Sequence, residues 1–319
     1  MIRGGVLVKI ILFADPGIDD SLAIMYAILH PEIELLAVVT SYGNVSVSDS
    51  TKNAAYLLHL ANHPEIPVIV GASHPFTEEP QVFYPGIHGE DGLGPYTPPD
   101  DFSASIYPFE KVFEIIEQHI DEVVIVDVGR QTSLGIAFNL KPELMKKVQD
   151  IYLMGGAFQV PGNVTSLAEA NFYGDPNATN IVLNYAKQVH ITPLNVTNRA
   201  ILSREVAVYI YRLTANPYKE LLRVITQYYA NYYEKVVPGI KGAPIHDVFT
   251  LYYLLNKDKT YTIERDVNVV IANESKGLSV ADLRATYDKP TKKHSIALQF
   301  DYRHFIEDFI SIMIKDVTK

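Results

Sequence analysis

The stretch VLVKIILFADPGIDD, residues 6–20, decides the fold. Residues 6–14 form an apolar run of strand length, interrupted only by Lys9, and Asp15-Pro16-Gly17 ends it in a turn. Leu22, Ala23, Tyr26, Ala27 and Leu29 then recur at helical spacing until Pro31 stops them. The run falls well short of the ~20 residues of a bilayer span. A small-residue cleavage site of the kind that ends a signal peptide is missing, so a buried strand leading into a helix is expected.

Working outward, the same alternation repeats. Strands are expected at 35–41, 67–70, 123–128, 151–154 and 189–194, with helices at 19–30, 49–61, 108–119 and 175–187. Two short helical segments fill the interval before 151. This order predicts an α/β fold with an open, mainly parallel central sheet and helices on both faces. Residues 71–107 and 155–174 break the pattern, being rich in Gly, Pro and polar residues without a sustained period. Loops of that length inside a compact fold usually carry function. Beyond 194 the chain turns mainly helical over 204–255, with Tyr228, Tyr229, Tyr232 and Tyr233 close together. Residues 260–272 regain β character, and 305–314 form a closing helix. No repeat or linker divides the chain, so a single domain over 1–319 is expected.

Composition narrows the chemistry. The 319 residues contain no cysteine, which excludes disulfides, thiolate metal sites and cysteine nucleophiles. A formal net charge of -10 argues against a nucleic-acid partner, since there is no basic excess to neutralise phosphates. With no membrane segment expected either, a cytoplasmic protein acting on a small molecule fits best.

Asp15, Asp19 and Asp20 crowd three carboxylates where a strand meets a helix. Such groups repel unless a cation or shared protons intervene, and hard divalent cations favour oxygen ligands. Asp19 and Asp20 also suit a helix N-terminus as cap and dipole partners. Asp15 needs another explanation, because it stands where open α/β sheets bind ligands. No glycine-rich phosphate cradle follows the strand, and no lysine or arginine adjoins the motif. Other polar residues also fall at strand ends: Gly43-Asn44, His88 in the first long loop, and Val128-Gly129. Asn163, Glu169 and Asn171 lie in the second long loop, followed by Asn195 and His246-Asp247. Each alone has an ordinary structural reading as turn, cap or loop residue. Their shared edge brings them to one crevice.

In this order and spacing the residues resemble the nucleoside hydrolases of the inosine–uridine-preferring type. The resemblance rests on Asp15-Pro16-Gly17-Ile18-Asp19-Asp20, Gly43-Asn44, His88-Gly89-Glu90-Asp91-Gly92-Leu93-Gly94 and Leu153-Met154-Gly155-Gly156-Ala157. It continues through Gly162-Asn163, Ala168-Glu169-Ala170-Asn171, Gly174-Asp175-Pro176 and Ala243-Pro244-Ile245-His246-Asp247. It implies a Rossmann-like fold and a calcium-dependent N-ribohydrolase that turns a ribonucleoside and water into free base and ribose. Calcium would be held by Asp15, Asp20, the main-chain carbonyl of Val128 and Asp247, with the ribose 2′- and 3′-hydroxyls and the attacking water around it. Asp15 would be the general base. Asp19, Asn44, Asn163, Glu169 and Asn171 would hydrogen-bond the ribose, and Met154 would lie beneath it. His88 and His246 would face the base, His246 as the proton donor with a pKa near neutrality. Tyr229 and Tyr233 would supply stacking or a proton relay. A homodimer or homotetramer is implied as well.

Two departures qualify the resemblance. Phe13 stands where the family usually has Asp, and an indirect effect on metal affinity or orientation is expected. The chain lacks tryptophan, which favours the pyrimidine or inosine–uridine type over the purine-specific type. Outside this class, a metal-dependent phosphohydrolase and a non-catalytic nucleoside binder are the alternatives.

Overall fold

β1 (Val8–Ala14) sends alternate side chains into two separate cores. Ile10, Leu12 and Ala14 face one core, covered by helices Ile18–Leu29, Val47–Leu60, His246–Leu255 and Tyr302–Met313. Ile11 and Phe13 face the other, beneath helices Lys111–Gln118, Thr132–Leu140 and Pro176–Tyr185. A strand apolar on both faces is what a parallel sheet sandwiched between helices requires. The computed structural model describes residues 7–77, 80–284, 286 and 294–317.

The strands continue with β2 (Ile33–Thr40), β3 (Val68–Val70), β4 (Ile106–Tyr107), β5 (Val123–Asp127), β6 (Ile151–Met154) and β7 (Val189–Thr192). β8 (Ile201–Ser203) and β9 (Gly242–Pro244) pair as a separate antiparallel ribbon. They are followed by β10 (Thr260–Arg265), the short pair β11 (Asn268–Val269) and β12 (Ser279–Val280), and β13 (His294–Phe300). Among the described residues the main sheet has nine strands in the order β10-β13-β7-β6-β5-β1-β2-β3-β4. Only the β10–β13 pair is antiparallel.

The order places the site. From β1 the chain builds outward through β2, β3 and β4, then returns to the opposite side of β1 with β5. The carboxyl ends of β1 and β5 therefore flank the point where the winding reverses, the place where open α/β sheets form a crevice. Asp15 follows one of these strands and Val128 the other.

Several elements differ from the sequence expectation. The irregular stretch 71–107 contains β4 and a helical turn, Pro85–His88, and the stretch 155–174 contains helix Ala170–Gly174. The region 204–255 is divided into helices Arg204–Leu213, Lys219–Val236 and His246–Leu255, with β9 before the last. β13 was not expected at all, although it lies between β7 and β10. Its exposed end, with Gln299 and Phe300 less covered, blurs the continuous apolar run that marks the other inner strands.

Candidate active site

The turn after β1 is folded by its own carboxylates. Asp20 Oδ1 accepts the Asp15 N–H at 3.0 Å and Asp20 Oδ2 accepts the Gly17 N–H at 3.1 Å. Asn44, in the turn after β2, adds two bonds: its N–H donates to Asp15 Oδ2 at 2.6 Å and its side-chain amide to Asp20 Oδ2 at 2.8 Å. Gly43 permits this approach, since a Cβ there would lie 1.8 Å from Asp15 Oδ2. Asp15 Oδ1 and Asp19 Oδ1 are buried and have no hydrogen-bond partner.

Oxygens of Asp19, Asp20 and Asp247 lie within 4.8 Å of one another. Burial, followed by the charges of Asp19, Asp20 and Asp15, pushes the Asp247 carboxyl far above the usual range. Burial and the charge of Asp20 do the same to Asp15, and raise Asp19 to about 8. Asp20 is raised to about 6 by burial, opposed by the amides that bond it. A set of buried carboxylates that cannot all ionise together, with two oxygens unpartnered, suits a hard divalent cation. The trio includes Asp19 rather than Asp15, which sits against the Asn44 amide.

A cavity of about 430 Å³ opens above this floor, lined by Asp19, Asn44, His88, Val128, Met154, Asn163, Glu169, Asn171, Tyr229, Tyr233, His246 and Asp247. Asp15 and Asp20 lie just beneath it, 2% and 0% exposed. The expected residues thus converge, with one strand-end exception. Asn195 bonds both main-chain groups of Phe158 and does not reach the cavity.

Glu169 caps helix Ala170–Gly174, accepting from the amides of Asn171, Gly156 and Phe172 at 2.7, 2.9 and 3.1 Å. Its neighbour Asn171 donates to the carbonyls of Val128 and Met154 at 2.8 and 3.2 Å, joining the ends of β5 and β6. Asn163 Oδ1 accepts the Ala170 N–H at 2.9 Å.

The histidines differ from expectation. His88 Nδ1 accepts the Ile18 N–H at 3.0 Å, so its proton sits on Nε2. Its 3.9 Å approach to Asp19 Oδ1 is therefore a contact between two acceptors and no ion pair. Burial, then the nearby His246, lowers its pKa to about 3. Burial also lowers His246 to about 4. His246 is thus neutral at pH 7, because its ring is enclosed and no carboxylate bonds it: Nδ1 pairs with the Thr197 hydroxyl at 2.8 Å and Nε2 with the Tyr233 hydroxyl at 3.5 Å. Tyr233 packs edge-on to Tyr229 at 5.0 Å, and the Tyr229 hydroxyl interacts with Asp19.

Three residues escaped the sequence reading. Arg130 is buried near Asp15 and Glu169, so a cation does stand behind the motif, although it does not line the cavity. Tyr84 lines the cavity from the long loop. Asp127 is buried on β5 directly opposite Phe13 in register, with Oδ2 unpartnered. No local signal marks the first two; Asp127 was legible as an acid at the end of an apolar strand.

The chain matches the model of the inosine-uridine preferring nucleoside hydrolase family over residues 10–307. The pyrimidine-specific ribonucleoside hydrolases RihA of Salmonella paratyphi A and Escherichia coli are each 32% identical to it over 302 residues, covering 93% of this chain and 96% of theirs. A purine-preferring ribonucleoside hydrolase from Gardnerella vaginalis superposes with a TM-score of 0.88 at 28% identity, over 96% of this chain and 98% of that one. A plant nucleoside hydrolase, PpNRh1, gives 0.87 at 28% identity, with the same coverage. The chain belongs to the nucleoside hydrolase family and has its Rossmann-like fold. Its activity is hydrolysis of the N-glycosidic bond of ribonucleosides.

Proposed function

We propose that this enzyme is calcium-dependent and prefers pyrimidine nucleosides or inosine, acting in the cytoplasm as a homodimer or homotetramer of a single-domain chain. The observation that carries the metal reading is the pair of buried, unpartnered oxygens, Asp15 Oδ1 and Asp19 Oδ1, beside the Asp19–Asp20–Asp247 cluster. Asp15, Asp20, the Val128 carbonyl and Asp247 would hold the ion. Calcium bound there supplies positive charge that offsets the carboxylates and gives ribose hydroxyls and water a fixed place.

The chain's own residues do the rest. Water attacks the anomeric carbon, Asp15 takes its proton, and the bond to the base nitrogen breaks through an oxocarbenium-like sugar. The buried carboxylates around the ring stabilise that positive charge where solvent is excluded. Asp19, Asn44, Asn163, Glu169 and Asn171 orient the ribose by its hydroxyls over Met154. The departing base takes up, through solvent, the equivalent of the proton that Asp15 removes from water. The neutral His246 is suited to stabilise the leaving base by donating a hydrogen bond rather than to arrive as an imidazolium. Tyr233, whose hydroxyl lies 3.5 Å from His246 Nε2, and Tyr229 line the cavity beside it and would stack against the base.

Two features support the base preference: a tyrosine wall without any tryptophan, and the similarity to pyrimidine-specific relatives. Incubation with uridine, inosine, adenosine and uridine monophosphate tests the reading. Free base and ribose should appear from uridine and inosine at higher kcat/KM than from adenosine, and no phosphate from the nucleotide. A preference for adenosine overturns the base assignment, and phosphate release overturns the reaction.

A further inference from the structure

Arg130 is the only buried lysine or arginine among the described residues, at 5% exposure. Its Nη2 donates to two main-chain carbonyls, Gly43 at 3.2 Å and Val82 at 2.7 Å. Its guanidinium lies 4.8 Å from the Tyr42 ring, and its charge acts on the hydroxyls of Tyr42 and Tyr84. Gly174 leaves room for it, since a Cβ there would lie 2.5 Å from Arg130 Cδ.

The two carbonyl contacts lead to the carboxylate end of the cavity. Gly43 precedes Asn44, which bonds Asp15 and Asp20. Val82 belongs to the segment carrying Tyr84, a cavity-lining residue near Asp15 and Glu169. The Tyr84 N–H donates to the Asn44 carbonyl at 3.0 Å, so the two segments also hold each other. One guanidinium therefore ties the end of β5 to the turn after β2 and to the long loop, through Nη2 and its two carbonyls. Lysine carries the same charge but lacks the planar group that packs 4.8 Å from the Tyr42 ring and holds Nη2 between the two carbonyls. A neutral side chain leaves the carbonyls it served without their donor.

We propose that Arg130 is a positioning residue for ribose binding, acting through Asn44 and Tyr84, and that the Tyr84 hydroxyl side of the cavity is part of the ribose contact. This rests on the reading of Asn44 as a ribose ligand. Arg130 is not a catalytic residue, because it touches neither the cavity nor the reacting atoms. Its loss loosens the angle at which Asn44 and Tyr84 meet the sugar, while the bonds of Asn44 to the carboxylates persist.

Steady-state kinetics with uridine test the proposal on Arg130→Lys, Arg130→Met, Tyr84→Phe and Asn44→Ala. Both Arg130 variants should raise KM by about tenfold or more, the effect of losing one or two hydrogen bonds. Their kcat should change by less than about threefold, and Tyr84→Phe should raise KM by a smaller factor in the same direction. A merely structural arginine gives the opposite split, with a lower kcat from a reduced folded fraction and an unchanged KM. That result, or an Arg130→Lys enzyme with wild-type KM, overturns the proposal. If Arg130→Met does not fold, Arg130→Lys and Tyr84→Phe decide the matter. Asn44→Ala separates the two levels. A raised KM there with unaffected Arg130 variants rejects only the clamp, whereas an unchanged KM in Asn44→Ala rejects the ribose reading on which it stands.

Discussion

The floor and the wall of the cavity are built by different rules. The floor is a row of strand ends: Asp15 after β1, Asn44 after β2, Val128 after β5 and Met154 closing β6. Sheet register fixes those positions, and short hydrogen bonds among Asp15, Asp20 and Asn44 tighten them further. The wall is a helix surface, with Tyr229 and Tyr233 one turn apart on helix Lys219–Val236 and His246 opening the next helix. Its residues meet through ring packing and longer contacts, such as the 3.5 Å approach of Tyr233 to His246. A floor held by register suits bond cleavage, which every substrate shares. A wall held by packing can be altered one side chain at a time, which suits selection among bases.

Substitutions on the two sides should therefore differ in kind. Asp247→Ala and Asp15→Ala should each lower turnover by about 10⁴-fold or more on every nucleoside, since base catalysis and metal binding fail together. Far-UV circular dichroism should remain native, because neither carboxylate packs the core. A variant active on one base and inactive on another would break the division. On the wall, His246→Ala should lower kcat for inosine by roughly 10²–10³-fold, the loss of one hydrogen-bond donor to the leaving base, and less for uridine, with little change in KM. A purine is best protonated at N7 and a pyrimidine is assisted at its carbonyl oxygens, so one fixed ring is unequal to both. Equal losses, or a raised KM alone, would make His246 a shaping residue.

Phe13 sharpens the comparison from beneath the floor. The sequence suggested an influence on metal affinity, but its side chain points into the second core, opposite Asp127 in register. Phe13→Asp should cost about 3–5 kcal/mol of stability, as the deletion of a buried aromatic does, and bring a second acid beside a buried one. Chemical denaturation reads this directly. An unchanged midpoint, or a gain in activity, would contradict the placement.

The smallest effect concerns pH. Asp19, raised to about 8, and Asp15, Asp127 and Asp247, all raised by burial, keep protons in the metal-free fold that the unfolded chain releases above about pH 4. Rising pH then favours the unfolded chain. His88 and His246, lowered to about 3 and 4, act in the opposite sense, but only up to the unfolded value of 6.5. The melting temperature of metal-free protein should thus fall between about pH 7 and pH 8, where only the carboxylates still contribute. A flat or rising profile would mean the acids are ionised in the fold.

Much of this was legible in the chain. The two-sided apolar run of β1 and the acidic turn after it located the crevice, because both depend on neighbours in sequence. β13 was missed because its apolar run ends in half-covered residues, and only its place between β7 and β10 explains it. Arg130 was missed for a similar reason: its partners Gly43 and Val82 are distant in the chain, and nothing near 130 signals burial. The neutrality of His246 follows from enclosure by the whole fold, which no local pattern records.

Calorimetric titration of chelator-stripped protein with calcium, with uridine hydrolysis assayed on the same samples, tests the central claim most directly. The account predicts one ion per chain, activity rising in step with occupancy, and neither binding nor recovery in Asp247→Ala. Full activity in protein stripped of metal, or calcium bound equally well by Asp247→Ala, would contradict it.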